Sequence, residues 1–212
     1  MRNAKQPIKE WIFIFTLTTI LCSVGLYIYS NNRTRVFTAV KTTVLYIDKG
    51  PHEESFRSVN KYSDTIPSPY LYRMGNLHAL KKHLSEKNSL LAEEPYFGEI
   101  IKQSRIHNLN PCLLFAITGR EQSFVPKNNK FASKISNNPF NVYGSWKNYN
   151  TTIEDSAKIA CRSIISLSKS RPSNIEFIQW INTRGGEGGY AEDGEWHKDV
   201  KTFFDFLNTK VY

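Results

Sequence analysis

An apolar run that ends close to one acidic side chain places the strongest constraint on the fold of this chain. The run is Cys112-Leu113-Leu114-Phe115-Ala116-Ile117, and Asn110-Pro111 in front of it form a favourable N-cap and first-turn pair for a helix. Leu114, Ile117 and Glu121 are spaced i, i+3 and i+7, so they share one helical face. Glu121 therefore emerges from the stripe expected in the core, where the helix opens into a loop. Loss of water at such a position favours the neutral carboxylic acid, the form that a general acid needs.

A more common role for a carboxylate at a helix end is an ion pair with a neighbour, here Arg120 or a nearby lysine. The residues around Glu121 do not by themselves decide between a structural ion pair and a catalytic acid. A polar and aromatic loop follows the helix, with Asn137-Asn138-Pro139-Phe140-Asn141-Val142-Tyr143-Gly144 at its centre.

Three short segments carry recognisable motifs in a fixed order: Arg120-Glu121-Gln122-Ser123-Phe124, Ser136-Asn137-Asn138-Pro139-Phe140-Asn141-Val142 and Gly189-Tyr190-Ala191-Glu192-Asp193-Gly194-Glu195-Trp196. The first resembles the Glu-Ser-x-Trp/Phe signature that carries the catalytic acid in lysozyme-like glycosidases. The other two resemble the Asn-Leu/Pro-Phe-Gly-Ile/Val and Gly-Tyr-Ala-x-Asp-x-x-Tyr segments of the bacterial glucosaminidases, which are endo-β-N-acetylglucosaminidase-like peptidoglycan hydrolases. Lytic transglycosylases share the first element but typically continue with Gly-Leu-Met-Gln, which this sequence lacks, so the glucosaminidase branch is favoured.

The resemblance implies a mostly α, lysozyme-like helical domain that cleaves β-1,4 bonds of peptidoglycan. Glu121 falls on the catalytic acid, and Tyr190 falls on a tyrosine that faces this acid across the cleft. Asn138 or Asn141 would bond the acetamido group of the sugar, and Phe140 would form a floor beneath it. Tyr143, Trp146 and Tyr149 could offer flat faces to pyranose rings or simply pack on the surface.

A second catalytic carboxylate is harder to place. The family usually carries it on a β-hairpin after the Asn-Pro-Phe segment, but here Tyr143 to Tyr149 lead almost directly into the next expected helix. The remaining nearby acids are Glu154, Glu187, Glu192 and Asp193. The N-acetyl group of the substrate could act as nucleophile, or a loop carboxylate could activate water. A lytic transglycosylase, which needs one acid, and a non-catalytic wall-binding or assembly protein remain the alternatives.

Residues 11–29, WIFIFTLTTILCSVGLYIY, contain no charge. As a helix they would extend about 28 Å, enough for a hydrocarbon core of about 30 Å. A cleaved signal peptide is the alternative, since Arg2, Lys5 and Lys9 form a basic leader. We expect an uncleaved single-pass anchor. Basic residues flank it almost evenly, so the orientation, with the larger C-terminal part outside a bacterial cytoplasm, follows from the expected wall substrate and not from charge.

The predicted organisation is an anchor at residues 1–30, a linker with accessory helices at 31–93, and the lysozyme-like domain at 94–212. Leu77, Leu80, Leu84 and Leu91 suggest one amphipathic helix before that domain. Inside the domain we expect helices near Phe97–Ser104 and Pro111–Gly119, one capped by Thr152, one capped by Ser173, and a last one opened by Asp193 or Gly194 with Trp196 in its core stripe.

The net charge of +9 favours anionic partners, but the basic residues are scattered and form no nucleic-acid-binding motif. The predicted partners are therefore peptidoglycan strands, the membrane through one helix, and a cell-envelope machinery; nucleic acid is not expected. No cofactor and no metal are predicted. Cys112 and Cys161 could be free buried thiols or one disulfide, and their spacing indicates no metal site.

Overall fold

The apolar stripes of the sequence form α-helices in the computed structural model, which describes residues 65–186 and 188–212. The helices are α1 (Leu77–Glu86), α2 (Tyr96–Ile106), α3 (Pro111–Gln122), α4 (Ala132–Ile135), α5 (Ile153–Ser168), α6 (Phe177–Thr183) and α7 (Trp196–Val211). Short 3-10 turns lie at Ser68–Tyr70, Leu90–Ala92, Val142–Gly144 and Arg184–Gly186. Within these described residues there is no β-strand, and two isolated antiparallel bridges join Leu71 to Leu109 and Ser89 to Pro126. The predicted mostly α class is confirmed.

Helix α3 is the central element, and every residue from Pro111 to Gly119 is buried. Its start is fixed as the sequence predicts, because the Asn110 side chain accepts the backbone N–H of Cys112 at 2.9 Å and proline occupies the first turn. The Asn110 amide also donates to the carbonyl of Pro69 at 2.8 Å and to Asn208 at 3.1 Å. This cap therefore ties the segment before α1 and helix α7 to the central helix.

Residues 65–93 share their hydrophobic core with the later helices. Ile66, Tyr70, Leu80, Leu84 and Leu91 belong to the same buried cluster as α3. The expected single helix through Leu91 is wrong, because α1 ends at Glu86 and the chain turns at Asn88, whose φ is 52°. Leu91 reaches the core from the following 3-10 turn instead.

The later helices follow the predicted stripes, but two begin further along than expected. Thr152 caps α5 as predicted, accepting the N–H of Asp155 at 3.2 Å. Helix α6 begins at Phe177 and not near Ser173, since Glu176 accepts the N–H of Gln179 at 2.8 Å and supplies the cap. Helix α7 begins at Trp196, because Asp193 accepts the N–H of Glu195 at 2.9 Å in the turn that precedes it.

Cys112 and Cys161 are free thiols in the core, which decides between the two alternatives left open by the sequence. Burial raises the pKa of Cys112 to about 12, so this thiol stays protonated and unreactive.

The described residues do not include the predicted membrane span at 11–29, the linker up to residue 64, or Glu187. Among the helices that are described, none combines the length and the apolar character needed to cross a membrane.

Candidate active site

A cleft of about 860 Å³ lies at the C-terminal end of α3. One wall comes from the loop at 140–144, a second from the glycine-rich segment at 188–193, and a third from the α5 residues Ile159, Ser163, Ser166 and Leu167. Five of the predicted site residues line it: Glu121, Phe140, Asn141, Tyr143 and Tyr190. Asn138 and Trp146 are not among the lining residues.

Both carboxyl oxygens of Glu121 accept a hydrogen bond from a neutral donor. The indole N–H of Trp196, at the start of α7, donates to Oε1 at 2.6 Å. The amide of Asn141 donates from Nδ2 to Oε2 at 2.7 Å. Since one donor comes from a helix and the other from the loop across the cleft, the carboxyl group is fixed in position, and none of the described residues pairs it with a cation.

Arg120 does not form the ion pair considered for Glu121, because it pairs with two other acids. Its guanidinium bonds Asp193 at 2.5 Å and lies 2.9 Å from Asp199. The N–H of Glu195 and this guanidinium hold the pKa of Asp193 below its ordinary value. Asp193 therefore stays ionised and anchors the glycine-rich segment to α3, which makes it a poor proton donor.

The side-chain amide of Asn141 bridges Gln122 and Glu121, which are neighbours in the sequence. Its Oδ1 accepts from Nε2 of Gln122 at 2.7 Å, while its Nδ2 is the group that bonds Glu121. Both ends of the Asn141 amide are thus used inside the protein. Its backbone has a φ of 52°, a left-handed conformation that asparagine adopts more easily than most residues.

The predicted contact of Asn138 with substrate needs correction, because this side chain is fully buried. Its Nδ2 donates to the carbonyls of Val142 and Tyr149, both at 2.9 Å, and its Oδ1 accepts the N–H of Val142 at 3.0 Å. All polar atoms of Asn138 therefore close the loop that carries Asn141. The residue shapes the cleft without facing it.

Trp146 also departs from its predicted role as a sugar-binding surface in the cleft. Its ring packs against Phe131, with centroids 5.4 Å apart, and the Lys147 ammonium lies over the ring at 5.5 Å. The short segment between Tyr143 and Tyr149 places Trp146 against Phe131 at the start of α4, and its ring does not line the cleft. Tyr143 is the aromatic side chain that the cleft exposes, at 69% of its surface, whereas Phe140 is 1% exposed and offers little ring area.

Tyr190 stacks on Trp196, the residue whose indole donates a hydrogen bond to Glu121. The two rings stack with centroids 4.9 Å apart and an interplanar angle of 24°. Burial, and then the charge of Glu121, raise the pKa of Tyr190 well above its ordinary value, so its hydroxyl remains a donor. Within the described part of the chain this hydroxyl donates one hydrogen bond, a long one of 3.4 Å, to the carbonyl of Phe140. It is therefore available to a ligand.

The glycine before Tyr190 is required by a close approach of two backbone segments. A Cβ at Gly189 would lie 1.8 Å from the carbonyl oxygen of Asn182, and the N–H of Tyr190 donates to Ile181 at 2.8 Å. The end of the glycine-rich segment thus packs directly against the backbone of α6, and this contact determines the position of Tyr190.

The turn after Glu121 is strained and firmly held. Ser123, Phe124 and Val125 have φ values of 49°, 60° and 55°, which are costly for side chains other than glycine. The hydroxyl of Ser89 donates to the carbonyl of Phe124, and the N–H of Leu90 donates to Val125 at 2.9 Å. This turn reverses the chain directly after Gln122, and so places Phe124 back over Gly119.

Among the acids considered for a second role, Glu192 has the most suitable position. It lines the cleft, is exposed, and has no hydrogen-bond or ion-pair partner among the described residues. Glu154 instead pairs with Lys102 at 3.1 Å, and Glu187 is outside the described residues. No group of three or more His, Cys, Asp or Glu side chains in the described ranges could hold a metal ion.

Sequence reasoning missed Gln122 and the polar role of Trp196. Trp196 was assigned to the core stripe of the last helix, and it is indeed only 2% exposed. The available signal was its indole N–H, since a buried tryptophan usually finds an acceptor.

Comparison with known proteins adds no assignment: no protein-family model, no curated protein and no solved structure matches this chain.

Proposed function

We propose that this protein is a membrane-anchored peptidoglycan hydrolase with a lysozyme-like helical domain, which cleaves β-1,4 bonds of wall glycan in the manner of an endo-β-N-acetylglucosaminidase. The observation that carries the proposal is the setting of Glu121: a carboxyl group at the end of a buried helix, inside a large cleft, held by two neutral donors. An acid that is fixed but not paired with a cation suits proton transfer to a leaving glycosidic oxygen.

In the proposed reaction, Glu121 gives its proton to the leaving oxygen as positive charge develops on the sugar ring. The indole N–H of Trp196 and the amide of Asn141 then stabilise the carboxylate that remains. Tyr143 offers an exposed ring to a pyranose, and Tyr190 offers its hydroxyl to the N-acetyl group or to the charged transition state.

Two routes complete this reaction. The N-acetyl group of the substrate can attack the anomeric carbon, or Glu192 can activate a water on the opposite face. The first route retains the anomeric configuration and the second inverts it, so NMR spectroscopy of the first-formed product distinguishes them. A lytic transglycosylase would instead release an anhydro sugar, and the setting of Glu121 as one firmly held acid is compatible with that reaction too.

The test is the release of soluble fragments from purified cell-wall sacculi by full-length protein. We expect Glu121→Gln to abolish release while the free energy of unfolding changes by no more than about 1 kcal/mol, since the substitution is nearly isosteric. Glu86→Gln is the matched control, because Glu86 is exposed and lies 3.9 Å from its partner Lys82 at the end of α1. This variant should retain full activity.

Mass spectrometry of the fragments identifies the bond that is cut. A reducing-end N-acetylglucosamine supports the proposal, a reducing-end N-acetylmuramic acid indicates the other bond, and an anhydro product indicates a transglycosylase. Undiminished release by Glu121→Gln would refute the role of this acid. Wild-type protein that sediments with sacculi without releasing fragments would indicate a wall-binding protein.

A further inference from the structure

We propose that Gln122 and Asn141 are positioning residues, which form a directed chain of amides that holds Glu121 as a hydrogen-bond acceptor. The chain runs from Nε2 of Gln122 to Oδ1 of Asn141, and from Nδ2 of Asn141 to Oε2 of Glu121, with both distances 2.7 Å. This role rests on the proposed function, because the group being positioned is the proposed acid. It also removes Asn141 from the groups that bind substrate directly.

The direction of the chain follows from its end at Glu121, taken in the ionised form that remains after proton transfer. The indole of Trp196 is a donor only, so Oε1 of Glu121 accepts there. An ionised Glu121 has no donor of its own, and Asn141 must therefore present its NH₂ group to Oε2. The Oδ1 of Asn141 then faces Gln122, which must present NH₂ in turn. Reversing either amide would bring two acceptors together at hydrogen-bond distance.

The backbone holds both amides in place. Gln122 is the last residue of α3, and the strained turn that follows it is bonded to the segment at 89–90. Asn141 lies in the loop closed by the three hydrogen bonds of Asn138. Since these bonds hold both backbones, the direction of the two amides is the property that a side-chain substitution changes.

A different residue at position 122 can reverse the chain. In Gln122→Glu the new carboxylate only accepts, so the Asn141 amide turns its NH₂ toward position 122 and its Oδ1 toward Glu121. That oxygen is satisfied only when Glu121 carries a proton. We therefore expect Glu121 to keep its proton to higher pH in this variant.

The other charged or titratable groups near Glu121, among the described residues, are Arg120 on α3, Asp199 on α7, Tyr143 in the loop, and Tyr190, Glu192 and Asp193 in the glycine-rich segment.

The direct test follows the indole of Trp196 by NMR during a pH titration of full-length protein labelled with ¹⁵N-tryptophan. The chain contains four tryptophans, and Trp196→Phe identifies the signal that reports on Glu121. In Gln122→Glu the midpoint of this signal should rise by about one pH unit or more. Because an added negative charge also raises it, the same substitution is made in an Asn141→Ala background. There the rise should fall to less than half.

An equal rise with and without the Asn141 side chain would mean that charge alone acts, and would overturn the amide chain. This readout needs no enzymatic activity. A wild type without glycan turnover would therefore refute the proposed function while the titration still decides the role of Gln122 and Asn141.

The kinetic test uses a soluble oligosaccharide of alternating N-acetylglucosamine and N-acetylmuramic acid. Gln122→Met, which preserves side-chain length, and Asn141→Ala should each lower kcat about 10-fold, as for one lost hydrogen bond, with KM within about twofold. Because Gln122 acts only through Asn141, the double variant should be no slower than Asn141→Ala. A double variant with multiplied losses, about 100-fold, would show that the two residues act independently and would also overturn the proposal.

Discussion

At the scale of single residues, the hydroxyl of Tyr190 is the group most open to a decisive test. Tyr190 is partly buried and lines the cleft with Glu121, yet the one bond of its hydroxyl within the described residues is the long contact to Phe140. We expect Tyr190→Phe to lower turnover about 10- to 1000-fold, because a lost hydrogen bond to developing charge costs a few kcal/mol. Affinity for an inert glycan fragment should fall much less, since the ring and its stacking on Trp196 survive. Steady-state kinetics and isothermal titration calorimetry measure the two quantities.

Tyr96→Phe is the matched control for this experiment. Tyr96 is half-buried at the start of α2, does not line the cleft, and its hydroxyl has no hydrogen bond to any described residue. Its removal should change neither turnover nor affinity. Equal activity of Tyr190→Phe and the wild type would leave Tyr190 as a packing residue that supports the start of α7.

The sequence predicted Glu121 and Tyr190 as neighbours in one cleft, and both line it. Helical spacing places Glu121 on the apolar face of its helix, and the resemblance of the three motifs adds its candidate role and the position of Tyr190. Its hydrogen-bond donors could not be predicted in the same way, because Trp196 is 75 positions away and meets it only after α7 packs on α3. Asn138 and Asn141 are similar in sequence context, and only the loop conformation determines that one is buried and the other faces the acid.

At the scale of elements, the contact between Gly119 and Phe124 determines how α3 ends. A Cβ at Gly119 would lie 2.5 Å from the Phe124 ring. That ring is buried and packs edge-on against Phe203, with centroids 5.3 Å apart, so it has little room to move. Alanine normally favours a helix over glycine by up to about 1 kcal/mol. Overpacking costs about 1–3 kcal/mol, so we expect Gly119→Ala to destabilise the protein by up to about 2 kcal/mol net.

Urea unfolding measures this change, with Gly194→Ala as the control. A Cβ at Gly194 would meet no atom within 4 Å, so that substitution should alter the free energy of unfolding by less than about 0.5 kcal/mol. Gly119→Ala that matched or exceeded the stability of the control would mean that Phe124 can move away. The end of α3 would then be less rigid than the strained turn implies.

The helices themselves were predictable from their apolar periods, whereas their ends depended on individual side chains. The predicted α6 began too early because Ser173 is as good a local cap as Glu176, which the structure uses. The helix expected to run through Leu91 ends at Glu86. No glycine or proline lies between its start and Asn88, where a positive φ reverses the chain, so the sequence carries no clear signal for this end. Such ends are decided by which residue finds a tertiary partner, which spacing alone does not encode.

At the scale of the whole molecule, the helical unit reaches further toward the N-terminus than the three motifs do. Leu80, Leu84 and Leu91 are fully buried in the core that also holds α3. Each buried leucine stabilises the fold by about 1.5–3 kcal/mol relative to an exposed one. A fragment that began at residue 94 would lose all three of these leucines from the core, so experiments on the candidate site are best made with the full-length chain.

The uncharged stretch at residues 11–29, which lies outside the described residues, is predicted to anchor the protein in a membrane. Since its 19 residues could span about 28 Å as a helix, full-length protein should fractionate with membranes and be released by detergent but not by high salt. Replacing Leu17 and Ile20 with arginine should move the protein out of the membrane fraction, because each arginine near the centre of a span costs about 2.5–3.5 kcal/mol. The matched control replaces the same two residues with phenylalanine and should remain in the membrane. A soluble wild-type product that begins near residues 25–30 would instead identify this stretch as a cleaved signal peptide.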